Sequence, residues 1–263
     1  MNIDFSKSIG NELDILEQVF AGLQTRMPVI LQFSSFSSKE EDFFSQILEK
    51  LLEPTRFINS YGLIHTSMRE MIQNACKANF KRKYFADVKI NSDILDQYEA
   101  GMLLFKAYIK KNRNGLKESR EGAGNRFEIK ITKKKNSLWL SVCNYFPLHA
   151  IEEKRIRQKF SSSSTAVNLY EYYKNFMDDS EGAGLGIAMV RVLLEKAGIS
   201  MRNFSIYTDS DTRFATSRII LPTSQNFVSP RVIFEEEQKR RGCTAGFLRS
   251  QLQKGLFTLD DGI

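Results

Sequence analysis

The chain has 263 residues, 42% of them apolar, enough to bury the core of one elaborated domain or one and a half. Its net charge of +7 (38 Lys and Arg against 31 Asp and Glu) is spread over short clusters at 81–83, 110–113, 133–135, 154–157 and 239–241, which suits a solvated surface, so nucleic-acid binding is not favoured. No apolar run approaches the roughly 18 residues of a membrane span, and the three cysteines form no CxxC pair, so a soluble cytoplasmic protein with reduced thiols is expected.

Residues 1–60 read as folded structure, with helical periodicity over 11–23 and a strand over 28–36. A capped helix follows to residue 52, with Phe43, Phe44, Ile47, Leu48 and Leu51 on one face, and Pro54 stops it. Packing or dimerisation is the expected role of this region.

The chain is organised around the next helix, 63–80. At about 100° per residue, Ile64, Met68, Met71, Ile72 and Ala75 fall in one apolar sector suited to lying on a sheet. Glu70, Asn74 and Lys77, spaced i, i+4 and i+7, share a second sector about a third of a turn away. A carboxylate, a carboxamide and an ammonium in line are costly to bury unpaired. Either a solvated Glu–Lys pair or a ligand accounts for them.

Residues 93–111 read as a helix and 112–125 as a polar loop, where the EGAG at 121–124 precedes a strand and reads as a turn. Strands 126–132 and 137–144 alternate apolar and polar residues and form a hairpin. The stretch 148–180 is charged, with a serine run at 161–164 and an aromatic patch at Tyr170, Tyr172, Tyr173 and Phe176. It reads as a polar loop, either over a ligand or on ordinary surface. In EGAGLGIAMVRVLLEKAG (181–198), alternating Gly182, Gly184 and Gly186 precede an apolar helix that Gly198 stops. Glycines at such a place let backbone N–H groups close on an anion at the positive end of the helix. Strands 201–207 and 213–221 follow, then a basic helix at 232–241 and a shorter one to 253.

MREMIQNACKA (68–78) and EGAGLGIAMVRVLLEKAG resemble the N box and the G2 box of the histidine kinase-like ATPases, the ATP-binding family of gyrase, heat-shock chaperones, histidine kinases and mismatch-repair ATPases. Both motifs stand in the family's order, and the resemblance covers residues 61–222. It implies the Bergerat fold, a two-layer α/β sandwich. A mixed, mainly antiparallel sheet would carry helices 63–80 and 187–197 on one face, with a lid over about 147–181. Residues 1–60 are then an N-terminal helix–strand–helix extension and 223–263 a basic helical tail.

The resemblance also implies ATP and Mg²⁺ as ligands. Asn74 would coordinate the magnesium and Lys77 approach a phosphate. Gly182, Gly184, Leu185 and Gly186 would form the phosphate loop, and Thr216, or else Thr212, would touch phosphate from the last strand. The family's G1 box, an Asp followed by glycines, is replaced by Asn144-Tyr145-Phe146-Pro147-Leu148. Asn144 is left to accept a hydrogen bond from the adenine amine, more weakly than a carboxylate would. Glu70 stands where gyrase, chaperone and mismatch-repair relatives carry the glutamate that polarises the nucleophile, which implies a catalytic role.

His65 lies on the nucleotide-type helix itself, and His149 lacks the acidic neighbour of a phosphoacceptor motif, so any kinase activity would act on a partner signalling protein. Two classes remain: an ATPase or kinase, favoured by Glu70, and a degenerate nucleotide-sensing module acting through lid closure, favoured by the missing G1 glycines. A dinucleotide loop with Asp209 as the ribose acid is a weaker third reading. The glycines are spaced G-x-G-x-G, and 168–181 does not read as the preceding strand.

Overall fold

Strand alternation decides the architecture. β1 (Asn2–Asp4), β2 (Val29–Phe33), β3 (Phe127–Lys133), β4 (Ser137–Asn144), β5 (Phe204–Thr208) and β6 (Ala215–Pro222) form one six-stranded sheet in the order β1-β2-β3-β4-β6-β5. Only β1 and β2 pair in parallel; every other neighbour is antiparallel. The register sets Val29, Ile131, Leu140, Ile219 and Phe204 in one row across five strands, each 2% exposed or less. A sheet with one such apolar face must bury it against helices. The computed structural model describes residues 1–4, 12–25, 27–111, 126–163, 185–209, 212–254 and 259.

Among the described residues, four helices cover that face and share its core: α1 (Glu12–Gln24), α2 (Ser38–Leu52), α3 (Tyr61–Asp87) and α6 (Leu185–Lys196). The chain is therefore a mixed α/β protein with a mostly antiparallel sheet. On α3 the apolar sector lies inward, with Ile64 and Met68 at 0% and Ile72 at 1% exposure. Each such side chain contributes about 1.5–3 kcal/mol. At the start of α2, the Ser37 backbone N–H donates to the Glu40 carboxylate at 2.8 Å, as its capping sequence predicts.

Three features depart from the sequence reading. Residues 1–60, expected as an extension, supply two of the six strands. α1 is the crossover that a parallel β1–β2 pair needs, and β1, at three residues, is too short for periodicity to reveal. The central helix runs to Asp87, well past Phe80, because α4 (Leu95–Lys111) packs on its far end through a satellite core of Phe85, Tyr98, Met102 and Phe105. Finally, the first part of the expected polar loop is helix α5 (Ala150–Ser163). Ala, Glu, Lys, Arg and Gln are good helix formers, and Glu152 and Glu153 in the first turn complement the helix dipole.

A buried ionic clasp holds α5 on α3. Glu152, 7% exposed, lies 2.7 Å from Lys81 Nζ and accepts from Arg82 Nη2 at 2.6 Å. Lys81 Nζ also donates to the Tyr98 hydroxyl at 3.1 Å, so α3, α4 and α5 meet in one network. The tail forms α7 (Pro230–Arg241) and α8 (Ala245–Gln253), with Ser229 Oγ donating to the Arg202 carbonyl at 3.1 Å.

Two outcomes follow from this packing. Deleting residues 1–60 strips β2 and two covering helices from Phe127, Ile129 and Ile131, all 0% exposed. The 61–263 fragment is expected to lose cooperative thermal unfolding by circular dichroism; a sharp, parent-like melt would refute this account of the core. Glu152→Ala leaves two largely buried cations without their shared carboxylate, and about 3 kcal/mol of stability should be lost in urea titration. A change below about 0.5 kcal/mol would mean the clasp is solvated.

Candidate functional site

The rotation that buries the apolar sector of α3 carries the polar sector off the sheet. Glu70 is half-buried there, while Asn74 and Lys77 are exposed. Among the described residues, Glu70 forms no ion pair with Lys77 or Arg69; Arg69 Nε instead lies 3.1 Å from Glu41 Oε1. The solvated Glu–Lys pair is therefore not formed.

Helix α6 closes on this sector. It packs along α3, held in the core by Ala188, Val190 and Leu194, each 2% exposed or less. In its first turn, Gly186 lies directly against the polar pair. A Cβ placed there would come 2.8 Å from Asn74 Nδ2, 3.2 Å from Glu70 Oε2 and 3.4 Å from Asn74 Oδ1. Only a residue without a side chain lets the two helices approach this closely without displacing Asn74. The N–H groups of a first helical turn lack intrahelical acceptors and carry partial positive charge, so a carboxylate and a carboxamide stand beside a donor-rich helix end.

Asn144 reaches α3 one residue beyond Asn74. Its Nδ2 donates to the Ala75 carbonyl at 3.4 Å, and its Oδ1 accepts from Asn79 Nδ2 at 3.1 Å. Asn79 Nδ2 also donates to the Arg126 carbonyl at 3.3 Å. Sequence reasoning missed Asn79, although the signal was present. It stands four residues after Ala75, inside the buried sector, where a polar side chain needs a partner.

Thr216 does not join this group. In the β4–β6 register Thr216 pairs with Cys143 and Asn144 with Ala215, and neighbours on a strand face opposite ways. With Asn144 turned to α3, Thr216 lies on the other face, its Oγ1 3.5 Å from Cys143 Sγ. Thr212, the alternative, donates its hydroxyl to Asp209 Oδ1 at 3.1 Å within the β5–β6 turn. The same carboxylate oxygen accepts from the Thr212 backbone N–H, so Asp209 closes that turn. Gly182, Gly184 and residues 164–181 of the expected lid lie outside the described residues, as does the Leu185 side chain.

Tyr145, after Asn144, also faces away from α3. Its hydroxyl donates to Glu128 Oε2 at 3.2 Å; burial raises the Glu128 carboxyl, and burial beside that carboxylate pushes the Tyr145 phenol up to about 12. His65 stacks on Tyr61 at 5.6 Å, and burial lowers its imidazole below the usual value. His149 Nδ1 lies 3.0 Å from Asp93 Oδ1 beside α5. None of the three cysteines is in a disulfide, and of them Cys143 is the buried one.

Among the described residues, no group of three or more His, Cys, Asp or Glu is placed to hold a metal ion. An open depression of about 330 Å³, lined by Leu23, Gln24 and Lys133 to Lys135, lies at the hairpin end of β4, opposite Asn144. No helix among the described residues is long and apolar enough to cross a membrane.

The chain is similar to an uncharacterized protein of Treponema pallidum (strain Nichols), 24% identical over 208 residues. That match covers 78% of this chain and 40% of the Treponema protein, so this chain corresponds to well under half of its relative's length. No protein-family model matches the chain. No solved structure matches it either.

Proposed function

We propose that the chain is an ATP-binding protein of the histidine kinase-like type, with a Bergerat fold, that hydrolyses Mg²⁺-ATP or transfers its phosphoryl group to a partner protein. The observation that carries the reading is the seating of Gly186 against Glu70 and Asn74. Two motifs more than a hundred residues apart meet at the residues that the resemblance singled out. A bland amphipathic helix would not need its polar sector met by a glycine-led helix start.

In this reading the α6 N-terminus and Lys77 offer positive charge to phosphate oxygens, and Asn144 offers an acceptor to the adenine amine. Asn74 supplies an oxygen to magnesium. The donor set fits that ion, which keeps several waters and is held through substrate phosphates with one or two protein oxygens rather than by a cage. Bound there, it would neutralise phosphate charge. Glu70, one turn from Asn74, accepts the proton of the attacking water or hydroxyl. A nucleotide-sensing module is the second reading, favoured by the clasp that ties α5 to α3 and so links the interval between Asn144 and Gly186 to the site's own helix.

Two variants test the assignments. Asn74 is exposed, so Asn74→Ala should fold normally yet lose the Mg²⁺ dependence of ATP binding in calorimetry. Parent-like Mg²⁺-ATP binding would remove Asn74 from the site. Glu70→Ala should retain ATP and lower turnover by about 10² or more, as loss of a general base does. Unchanged turnover per bound ATP would remove Glu70 as the base, and a parent protein that binds ATP but neither hydrolyses it nor transfers phosphate would favour the sensing module.

A further inference from the structure

A carboxamide is ambiguous where a carboxylate is not. Turning an Asn side chain by half a rotation about its last bond exchanges acceptor and donor at nearly the same place. Left to itself, Asn144 could meet a base amino group with its oxygen or a base carbonyl with its amine, and would discriminate poorly between them.

The structure removes that choice. Asn144 Oδ1 accepts from Asn79 Nδ2 at 3.1 Å while Asn144 Nδ2 donates to the Ala75 carbonyl at 3.4 Å. In the flipped orientation both contacts oppose like groups, amine against amine and oxygen against carbonyl. Asn79 cannot turn to accommodate the flip. Its Nδ2 also donates to the Arg126 carbonyl at 3.3 Å, and turning it would set oxygen against oxygen there too. Asn79 is 3% and Asn144 5% exposed, so water cannot replace the lost bonds. An amide oxygen carries two lone pairs, and Asn79 engages one of them. An apolar residue at position 79 would continue the buried sector of α3 equally well. The carboxamide there has a second consequence besides packing.

We infer that Asn79 is a positioning residue that locks Asn144 with its oxygen as the acceptor, so that the site selects a purine bearing a 6-amino group over one bearing a 6-oxo group. This rests on the nucleotide-site reading above. Asn79 need not touch the base; it acts through Asn144.

The test compares the binding of Mg²⁺-ATP and Mg²⁺-inosine triphosphate by calorimetry. The proteins are the full chain, its Asn79→Ala variant and the double variant Asn79→Ala/Asn144→Asp. The wild type is expected to prefer ATP by about tenfold or more, since a site built to bond one polar group rejects its opposite. In Asn79→Ala the ratio should fall, because the Ala75 carbonyl alone then opposes the flip. In the double variant the preference should return, because the carboxyl group keeps an acceptor oxygen toward the base whether it is ionised or directs a proton at the Ala75 carbonyl. A residue that merely filled space would move both affinities together and leave the ratio alone. Equal affinities in the wild type, an unchanged ratio in Asn79→Ala, or no recovery in the double variant overturns the inference while leaving the nucleotide site standing. Equal affinities in the wild type overturn the inference even if a variant fails to fold. If the wild type binds neither nucleotide, the nucleotide-site reading falls and this inference with it.

Discussion

Burial of Ile64, Met68, Ile72 and Ala75 against one face of the sheet sets the rotation of α3, and the site depends on that rotation. Helix geometry places Glu70 and Asn74 about a third of a turn from the buried sector, so they emerge along its edge rather than fully into solvent. The neighbouring groove is where α6 lies. Its own apolar residues hold it against the same core, and Gly186 allows its first turn to touch the polar pair. One packing requirement thus delivers a carboxylate, a carboxamide and a helix start to one place. A one-residue rotation of α3 would send Glu70 elsewhere and bury a polar group in exchange.

Around this point two sets of buried polar groups are matched to one another, although Arg82 Nε is buried without a hydrogen-bond partner. Asn79 and Asn144 pair with each other and with two backbone carbonyls. Glu152 is shared by two cations, one of which also bonds a buried tyrosine. Such networks add modest net stability but impose a steep penalty on alternatives, because each misplaced partner strands another buried group. They fix which residue faces which, the property a recognition site needs more than it needs stability. The two networks are neighbours along the second half of α3: the first ties Arg126 and the end of β4 to that helix, the second ties α4 and α5 to it.

Under the proposed reading, the replaced G1 segment is the chain's main departure from the family it resembles. The structure softens that departure on one side and sharpens it on the other. Asn144 does face α3 beside the Asn74 turn, as the position of the family's acidic residue would require. Tyr145, however, turns to the opposite face and joins Glu128, so the segment carries a structural load there as well. Thr216 belongs to that opposite face too, and the side of β6 toward α3 presents Ala215 and Ser217 instead. Among the described residues, the phosphate end of the proposed site therefore draws on α3 and α6, with Thr216 on the opposite face.

By itself the sequence determined the periodic elements. The two sectors of α3, the hairpin of β3 and β4, the capped start of α2 and the glycine-led start of α6 were legible because each is encoded within a few turns or a few strand residues. Helical spacing also put Glu70, Asn74 and Lys77 in one sector, and glycines before an apolar helix marked 182–186, but only the family resemblance joined these two stretches. Only the tertiary structure decided what depends on pairing between distant segments. That β1 and β2 join the sheet rests on hydrogen bonds with partners up to a hundred residues away, and a three-residue strand has no period of its own. The face that Thr216 presents is set by register against β4, because a shift of one residue would reverse it. Asn79 could be seen in sequence as a polar residue in a buried sector, but its partner sits 65 positions away and is named only by the fold. The helix at Ala150–Ser163 was disguised by its charge, since the Lys81 and Arg82 that match Glu152 come from another helix.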